Sequence, residues 1–165
     1  MVGANHPYNL ERARIASLAA LVTLLPVGST QAGSVEEATP AVASTELDPK
    51  LFFALGMIES GNDDRGIGPG GEVSRYQIHP VVWKNYSKSS EYWNPEISLQ
   101  VARAHWTYLS GYFKDKAGRE PDDFDMYVLW NTRFGYYAKK GFSARDISPV
   151  VQDRARRFVN LVNRK

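Results

Sequence analysis

A glutamate at the end of an apolar run is the first residue of this sequence that could do chemistry. In the segment FALGMIESGNDDRGIGPGGEVSRYQIHP, residues 53–80, Glu59 ends the apolar run, and the serine and glycine that follow break it. Phe52, Leu55 and Glu59 have the i, i+3, i+7 spacing that places all three on one helix face. Because desolvation disfavours a charged carboxylate, we expect the pKa of a half-buried Glu59 to be raised. The spacing therefore makes Glu59 a candidate for a general acid.

The loop after Glu59 is rich in glycine and charge. Five glycines lie between residues 61 and 71, and they remove side-chain bulk where a chain-like ligand could approach the acid. Cleavage of a glycosidic bond needs such an acid, since the leaving oxygen must receive a proton. The alternative is a solvated glutamate at a helix end beside a surface turn. The spacing alone leaves both interpretations open.

Three short segments resemble the motifs of one enzyme family, in the family's order. The segment ALGMIESG resembles the one that carries the catalytic glutamate in lytic transglycosylases and goose-type lysozymes, members of the lysozyme-like superfamily. SRYQIHP is similar to the Gly-Leu-Met-Gln motif, with Gln77 at the glutamine, and YVLWN is similar to the Ala-Tyr-Asn motif, with Asn131 at the asparagine. The resemblance covers about residues 50–140. It implies a lysozyme-like fold in which Glu59 cuts peptidoglycan glycan strands.

Several residues differ from the family's pattern. Ser74 stands where the family has glycine, Tyr76 replaces methionine, and Trp130 replaces a tyrosine that helps to position the glutamate. Thr132-Arg133 follow Asn131, where the family has a small residue and a glycine. A glycan-binding module without catalysis is therefore an alternative. The residues expected to bind substrate are Ser60, Tyr76, Gln77, Trp130, Asn131 and Tyr136.

A second carboxylate would decide how the bond is cut. Hydrolases use two acids about 5–9.5 Å apart, and the candidates here are Asp63, Asp64 and Glu72, all in the glycine-rich loop. The resemblance implies another route, in which one glutamate serves as acid and then as base while a sugar hydroxyl closes an anhydro ring. We expect this single-acid route at the β-1,4 bond between MurNAc and GlcNAc. A two-carboxylate hydrolytic lysozyme is the alternative.

The N-terminal segment predicts export. Arg12 and Arg14 precede an apolar stretch of about 14 residues, and the small-residue exit STQAG follows, as in a secretory signal peptide. We expect a signal peptide at residues 1–32, a flexible leader at 33–47 and a catalytic domain at 48–165. The protein would then be periplasmic or secreted. A retained membrane anchor, which could tether a scaffold without catalysis, or a buried helix is the alternative.

Composition narrows the classes of function. The chain has 165 residues, 43% of them hydrophobic and 23% charged, as in one soluble domain. A net charge of +2 argues against nucleic acid, and the absence of cysteine excludes disulfides and thiol nucleophiles. Three dispersed histidines do not suggest a metal triad. We expect a monomer that needs no metal or cofactor, binds glycan strands and does not stay inserted in a membrane.

Helix signals predict a mainly α fold, with at most a small β or loop region after the first core helix. Asp48-Pro49, Asn94-Pro95 and Ser148-Pro149 each place a capping side chain before a proline suited to a first helical position. Further helices are expected within residues 121–131 and from Pro80. The last helix should bury Val151, Ala155, Phe158 and Val162, with Arg154, Arg156 and Arg157 mostly outward, and core positions are also expected for Trp83 and Trp106.

Overall fold

The computed structural model describes residues 48–164, and this part of the chain contains six helices. They are α1 (Pro49–Ser60), α2 (Pro80–Trp83), α3 (Pro95–Ala117), α4 (Asp123–Asn131), α5 (Tyr136–Lys139) and α6 (Pro149–Val162), with a 3₁₀ turn at Ala144–Asp146. The predicted signal peptide at 1–32 and leader at 33–47 lie outside the described residues, as does Lys165.

The mainly α prediction is confirmed. Between residues 48 and 164 the structure has no strand, only two isolated antiparallel bridges, Ile67–Val73 and Val73–Ile78. Both bridges lie in the loop of residues 61–79 between α1 and α2, which we call the bridged loop. Its position is the one predicted for a small β or loop region. None of the helices in the described part is both long and apolar enough to cross a membrane.

Capping side chains fix most of the helix starts. Asp48 Oδ1 accepts a hydrogen bond from Lys50 N at 2.9 Å, and Asn94 Oδ1 accepts one from Glu96 N at 3.0 Å. The Ser148 side chain makes no capping bond, so the predicted cap is wrong there, although Pro149 still opens α6. A proline at the first helical position already has a helical φ, so α6 can begin at Pro149 without a side-chain cap.

α4 starts from a reciprocal cap that the proline pattern did not predict. Asp122 Oδ1 accepts from Asp125 N at 2.8 Å, while Asp125 Oδ2 accepts from Asp122 N at 3.1 Å. The buried Asp125 is also paired with Arg119, whose Nη1 lies 2.6 Å from Asp125 Oδ2. Because every oxygen of this buried carboxylate has a partner, the start of α4 is firmly fixed.

α6 joins the two helices that matter most for the site. It packs against both α1 and α4, and Ala155 and Phe158 are buried as predicted. The Phe158 ring stacks on Tyr127 of α4 with the ring centroids 5.2 Å apart and contacts Trp106 of α3 at 6.0 Å. Val151 and Val162 are only half-buried at the edge of this core. The prediction that Trp83 and Trp106 belong to the core is confirmed.

Tyr137, the neighbour of Tyr136 in sequence, belongs to the core. Its side chain is buried, and its hydroxyl donates to Asp125 Oδ1 at 2.8 Å. The four-residue α5 turns the ring toward Phe113 and Phe142, which enclose it. The phenol can be buried because the carboxylate satisfies its one donor group.

Candidate active site

Glu59 lies in the last turn of α1, where α4 and α6 converge on it. Its side chain is 8% exposed. The Tyr127 hydroxyl donates to Oε1 at 2.6 Å, and Arg154 Nη2 lies 3.4 Å from Oε2. Arg154 Nη2 also donates to the carbonyl oxygen of Ile58 at 3.2 Å, which ties α6 to the end of α1. Three helices therefore position one carboxyl group.

The pKa of Glu59 is raised above its ordinary value of 4.5, mainly because the group is buried. Hydrogen bonds and charge oppose this shift in part, since Tyr127, Arg154 and the Asn131 side chain all favour the ionised form. The negative charge of Glu72 adds to the increase. The expected direction is confirmed, and its cause is the predicted one. A carboxyl group in this environment is suited to donating a proton.

Tyr127 remains a hydrogen-bond donor across the pH range in which Glu59 titrates. It is fully buried, and burial together with the neighbouring Glu59 charge raises the pKa of its phenol. Its contact with Glu59 spans 68 positions of sequence. In the segment PDDFDMYVLWN, helical spacing places either Tyr127 or Val128 on one face with Asn131 and indicates a role for neither. The i, i+4 spacing of Tyr127 and Asn131 is the sequence signal that these two side chains lie on the same helix face.

Trp130 lies on the same helix as Tyr127, the residue that donates a hydrogen bond to Glu59. The Trp130 indole Nε1 donates to the Tyr76 carbonyl oxygen at 3.2 Å, which links α4 to the bridged loop. Its ring contacts His105 and Trp106 at centroid distances of 5.1 and 5.9 Å. Trp130 therefore holds the loop against the helices, and its contact with substrate stays a prediction.

The expectation that Arg154 points mostly outward is wrong. Its side chain is 34% exposed, whereas the residues Arg156 and Arg157 on the same helix are exposed as predicted. Arg154 turns inward because two acceptors at the end of α1, the Glu59 carboxyl group and the Ile58 carbonyl, lie beside it. No local sequence pattern signals a contact between residues 95 positions apart.

The bridged loop places an amide and a carboxylate around its glycines. Gln77 has a positive φ of 50°, and its Nε2 donates to the Ser74 carbonyl oxygen at 3.0 Å. A Cβ atom at Gly68 would lie 2.4 Å from Gln77 Oε1 and 2.5 Å from Glu72 Oε2. Only glycine fits at this position without a shift of both side chains. The glycines were expected to leave room for a ligand, and Gly68 leaves room for Gln77 and Glu72.

The three loop carboxylates have different surroundings. Asp64 forms a two-bond ion pair with Arg75, with both N–O distances 2.5 Å. Asp63 is exposed, and its Oδ1 accepts from Arg65 N at 2.9 Å. Glu72 Oε2 accepts from Gly70 N at 2.9 Å, and its charge reaches Glu59. Of the three candidates for a second carboxylate, Glu72 is the one that is electrostatically coupled to the acid.

Several predicted substrate-binding residues are already engaged within the protein. Ser60 Oγ donates to the Arg75 carbonyl oxygen at 2.9 Å and accepts from Asp63 N at 3.0 Å. Tyr76 is only 3% exposed, with its ring edge-on to Phe52. Asn131 acts on the pKa of Glu59, whereas the hydrogen bond of the Gln77 side chain is to Ser74, within the bridged loop. Tyr136 is half-buried at the start of α5, and its sugar contact stays a prediction, as do those of Ser60 and Tyr76.

The histidines of the described part lie in different environments. His79 is exposed, and its Nδ1 accepts from Val81 N at 3.3 Å to cap α2. His105 Nδ1 lies 3.0 Å from the Tyr86 hydroxyl, and burial lowers the pKa of His105 to about 4. Within residues 48–164, no three His, Asp or Glu side chains are grouped so that they could hold a metal ion.

A groove of about 490 Å³ lies beside the bridged loop. Glu59 does not line it. Two of its apolar side chains are well exposed, Ile67 on the loop and Trp93 before α3. The residues around it are Asp64, Arg65, Gly66, Ile67, Val73, Ser74, Tyr92 and Trp93.

Comparison with protein families, curated proteins and solved structures gives no match to this chain. The site must therefore be interpreted from its own geometry and chemistry.

Proposed function

We propose that the protein is a glycosidase of the lysozyme-like type that cleaves the β-1,4 bond between MurNAc and GlcNAc in peptidoglycan. The observation that carries the proposal is the environment of Glu59, a buried carboxyl group with a raised pKa at a helix end. The three ordered sequence motifs support the same assignment, with Gln77 and Asn131 as the polar residues that would contact the sugar. The protein would act as an exported monomer on glycan strands.

The reaction begins with proton transfer from Glu59. In its neutral form, Glu59 donates a proton to the glycosidic oxygen as the bond from that oxygen to C1 of MurNAc breaks. The electron pair of the bond stays with the departing GlcNAc oxygen, and positive charge develops at C1 and the ring oxygen. Glu59 is now a carboxylate, with Tyr127 as hydrogen-bond donor to Oε1 and the Arg154 charge near Oε2.

The second step uses the same carboxylate as a base. Glu59 removes the proton from the C6 hydroxyl of the MurNAc residue as that oxygen bonds to C1, which gives a 1,6-anhydro ring and restores the neutral acid. No water is consumed, and no second carboxylate is required. This single-acid route suits a site in which only Glu59 is held by several helices.

A hydrolytic route through Glu72 is the second candidate. It is favoured by one feature, the small contribution that the charge of Glu72 makes to the raised pKa of Glu59. In that route, Glu72 would orient a water molecule or stabilise the positive charge at C1. The product would then carry a reducing end instead of an anhydro ring.

The proposal is tested by measuring the release of soluble muropeptides from purified peptidoglycan. The variant Glu59→Gln keeps nearly the same shape but cannot donate a proton, so turnover should fall by about 10²–10⁴-fold. Glu120→Gln is the matched control, because Glu120 is an exposed acid that pairs with Lys114 on the surface. If the wild-type protein releases no muropeptides while it binds glycan equally well with either residue changed, the protein is a glycan-binding module instead.

A further inference from the structure

The two oxygens of the Glu59 carboxyl group have different partners. The Tyr127 hydroxyl donates to Oε1 at 2.6 Å. Because the phenol keeps its proton, Oε1 serves as an acceptor whether Glu59 is neutral or ionised. The proton of the neutral acid is therefore placed on Oε2. Arg154 Nη2 lies 3.4 Å from this oxygen.

The distance from Arg154 to Oε2 is long for a charged pair. Nη2 lies 3.4 Å from Oε2, whereas charge-assisted N–H···O bonds are about 2.7–2.9 Å long. The guanidinium is instead fixed by the Ile58 carbonyl oxygen at 3.2 Å. A guanidinium stays charged at all relevant pH values. It therefore provides a constant positive charge beside Oε2 without capturing that oxygen.

We infer that Arg154 is a positioning residue that promotes transfer of the Glu59 proton from Oε2 to the substrate oxygen. The inference rests on the proposed function, because negative charge develops on Oε2 only if Glu59 gives up its proton. Arg154 stabilises that charge, while Tyr127 prevents the carboxyl group from rotating. The Ile58 carbonyl oxygen holds the guanidinium, which lies 3.4 Å from Oε2.

Each element packed around Glu59 influences this balance. From α4, the Tyr127 hydrogen bond and the Asn131 side chain favour the carboxylate, and from the bridged loop the charge of Glu72 opposes it. Arg154 of α6 is the cation among these groups. Burial and the Glu72 charge raise the pKa of Glu59, and the Arg154 charge opposes this increase. Without that charge, the pKa should rise further and Glu59 would become a weaker acid.

The test measures the ionisation of Glu59 and the catalytic rate separately in the full-length protein. The variants are Arg154→Gln, which removes the charge, and Arg154→Lys, which keeps it without the guanidinium fork. The matched control is Arg157→Gln, since Arg157 lies one turn further along α6 and contacts Asp153 at 3.9 Å. The titration of Glu59 is followed by NMR of ¹³C-labelled glutamate, with Glu59→Gln used to assign the signal.

We expect Arg154→Gln to raise the Glu59 pKa, Arg154→Lys to restore most of the wild-type value, and Arg157→Gln to change nothing. For peptidoglycan cleavage, kcat of Arg154→Gln should fall by about 10–100-fold with little change in KM. The alkaline limit of activity should move to higher pH. A purely structural role would lower the rate without moving either the titration or the pH limit, and that result would overturn the inference.

Failure of the proposed function gives a different result. If the wild-type protein does not cleave peptidoglycan, the NMR titration still reports whether Arg154 controls the Oε2 proton. If cleavage occurs but the Glu59 titration is the same in wild type and Arg154→Gln, the proposed function survives and the role of Arg154 is excluded. If Arg154→Gln does not fold, Arg154→Ala and Arg154→Lys are measured instead. A Glu59 titration and a cleavage rate equal to those of wild type in both variants would overturn the inference.

Discussion

Glu59 and Glu72 are two carboxylates on different elements, and the molecule holds them in different ways. Glu59 extends from a twelve-residue helix and is contacted by side chains of two others, α4 and α6. Glu72 extends from the bridged loop and is held by the backbone N–H of Gly70, two residues away. One carboxyl group is fixed by distant parts of the chain, and the other by its own loop.

The difference shows what each region can contribute to chemistry. Packing of three helices removes the Glu59 side chain from water, and its pKa rises as a result. The bridged loop instead satisfies its acids locally, with Arg75 for Asp64 and a backbone N–H for Asp63. A proton donor needs burial by rigid elements, whereas a loop of this kind is better suited to shaping the approach of a ligand.

The largest effect expected from this comparison is a contrast between amide substitutions. Glu59→Gln should reduce peptidoglycan cleavage by about 10²–10⁴-fold, because it removes the general acid. Asp63→Asn, Asp64→Asn and Glu72→Gln should each cost less than about tenfold, or 1.4 kcal/mol. Initial rates of the four variants at one pH provide the comparison. A loop variant as inactive as Glu59→Gln would remove the distinction between the two regions.

The burial of His105 should make the free energy of unfolding depend on pH. Burial lowers its pKa from 6.5 to about 4, so the unfolded chain binds this proton more readily than the folded one. The contribution of neutral His105 to the free energy of unfolding is fully present above pH 6.5. As the pH falls toward 4, up to roughly 3 kcal/mol of this contribution is lost. Urea denaturation of wild type and His105→Gln across this range measures it. The two proteins should differ in slope only below pH 6.5.

Tyr127→Phe tests how the helices hold Glu59. The variant loses the 2.6 Å hydrogen bond to Glu59 Oε1, which should cost about 1–2 kcal/mol of stability. Since Tyr127 lowers the pKa of Glu59, its loss should also move the alkaline limit of activity to higher pH. Tyr112→Phe is the control, because Tyr112 contacts Phe134 at the surface side of α3. An unchanged pH limit in Tyr127→Phe would contradict the account.

A smaller effect is expected from Glu59 itself on stability. The pKa of Glu59 is higher in the folded protein than its ordinary value of 4.5, so the unfolded chain ionises first as the pH rises. The stability that this group contributes is present below pH 4.5 and is lost as the pH rises through the folded pKa. Glu59→Gln should therefore gain stability relative to wild type over that range. If the difference in the free energy of unfolding between Glu59→Gln and wild type is the same at every pH, folding does not raise the pKa of Glu59.

The same two regions also differ in how far the sequence predicts them. Apolar spacing and proline positions predicted five of the six helices, all except α5, and the spacing of Phe52, Leu55 and Glu59 predicted a half-buried acid. The tyrosine partner was ambiguous between Tyr127 and Val128, because a short apolar pattern does not fix the rotation of a helix. Arg154 could not be predicted, since its contact depends on how α6 packs against α1.

The bridged loop was predictable only in position. Its conformation depends on residues with positive φ that the sequence does not signal, such as Ser74 at 65° and Gln77 at 50°. The Asp64–Arg75 pair closes the loop across eleven positions. Left-handed backbone at residues other than glycine is stabilised by the surrounding contacts and not by local preference. The surroundings of the three loop acids therefore required the structure.

The most direct test of the single-acid account is the mass of the products released from peptidoglycan. Wild type should give muropeptides that end in 1,6-anhydromuramic acid and resist borohydride reduction, Glu72→Gln should give the same products, and Glu59→Gln should give none. Products that are one water heavier, carry a reducible end and disappear in Glu72→Gln would contradict the account and establish a two-carboxylate hydrolase.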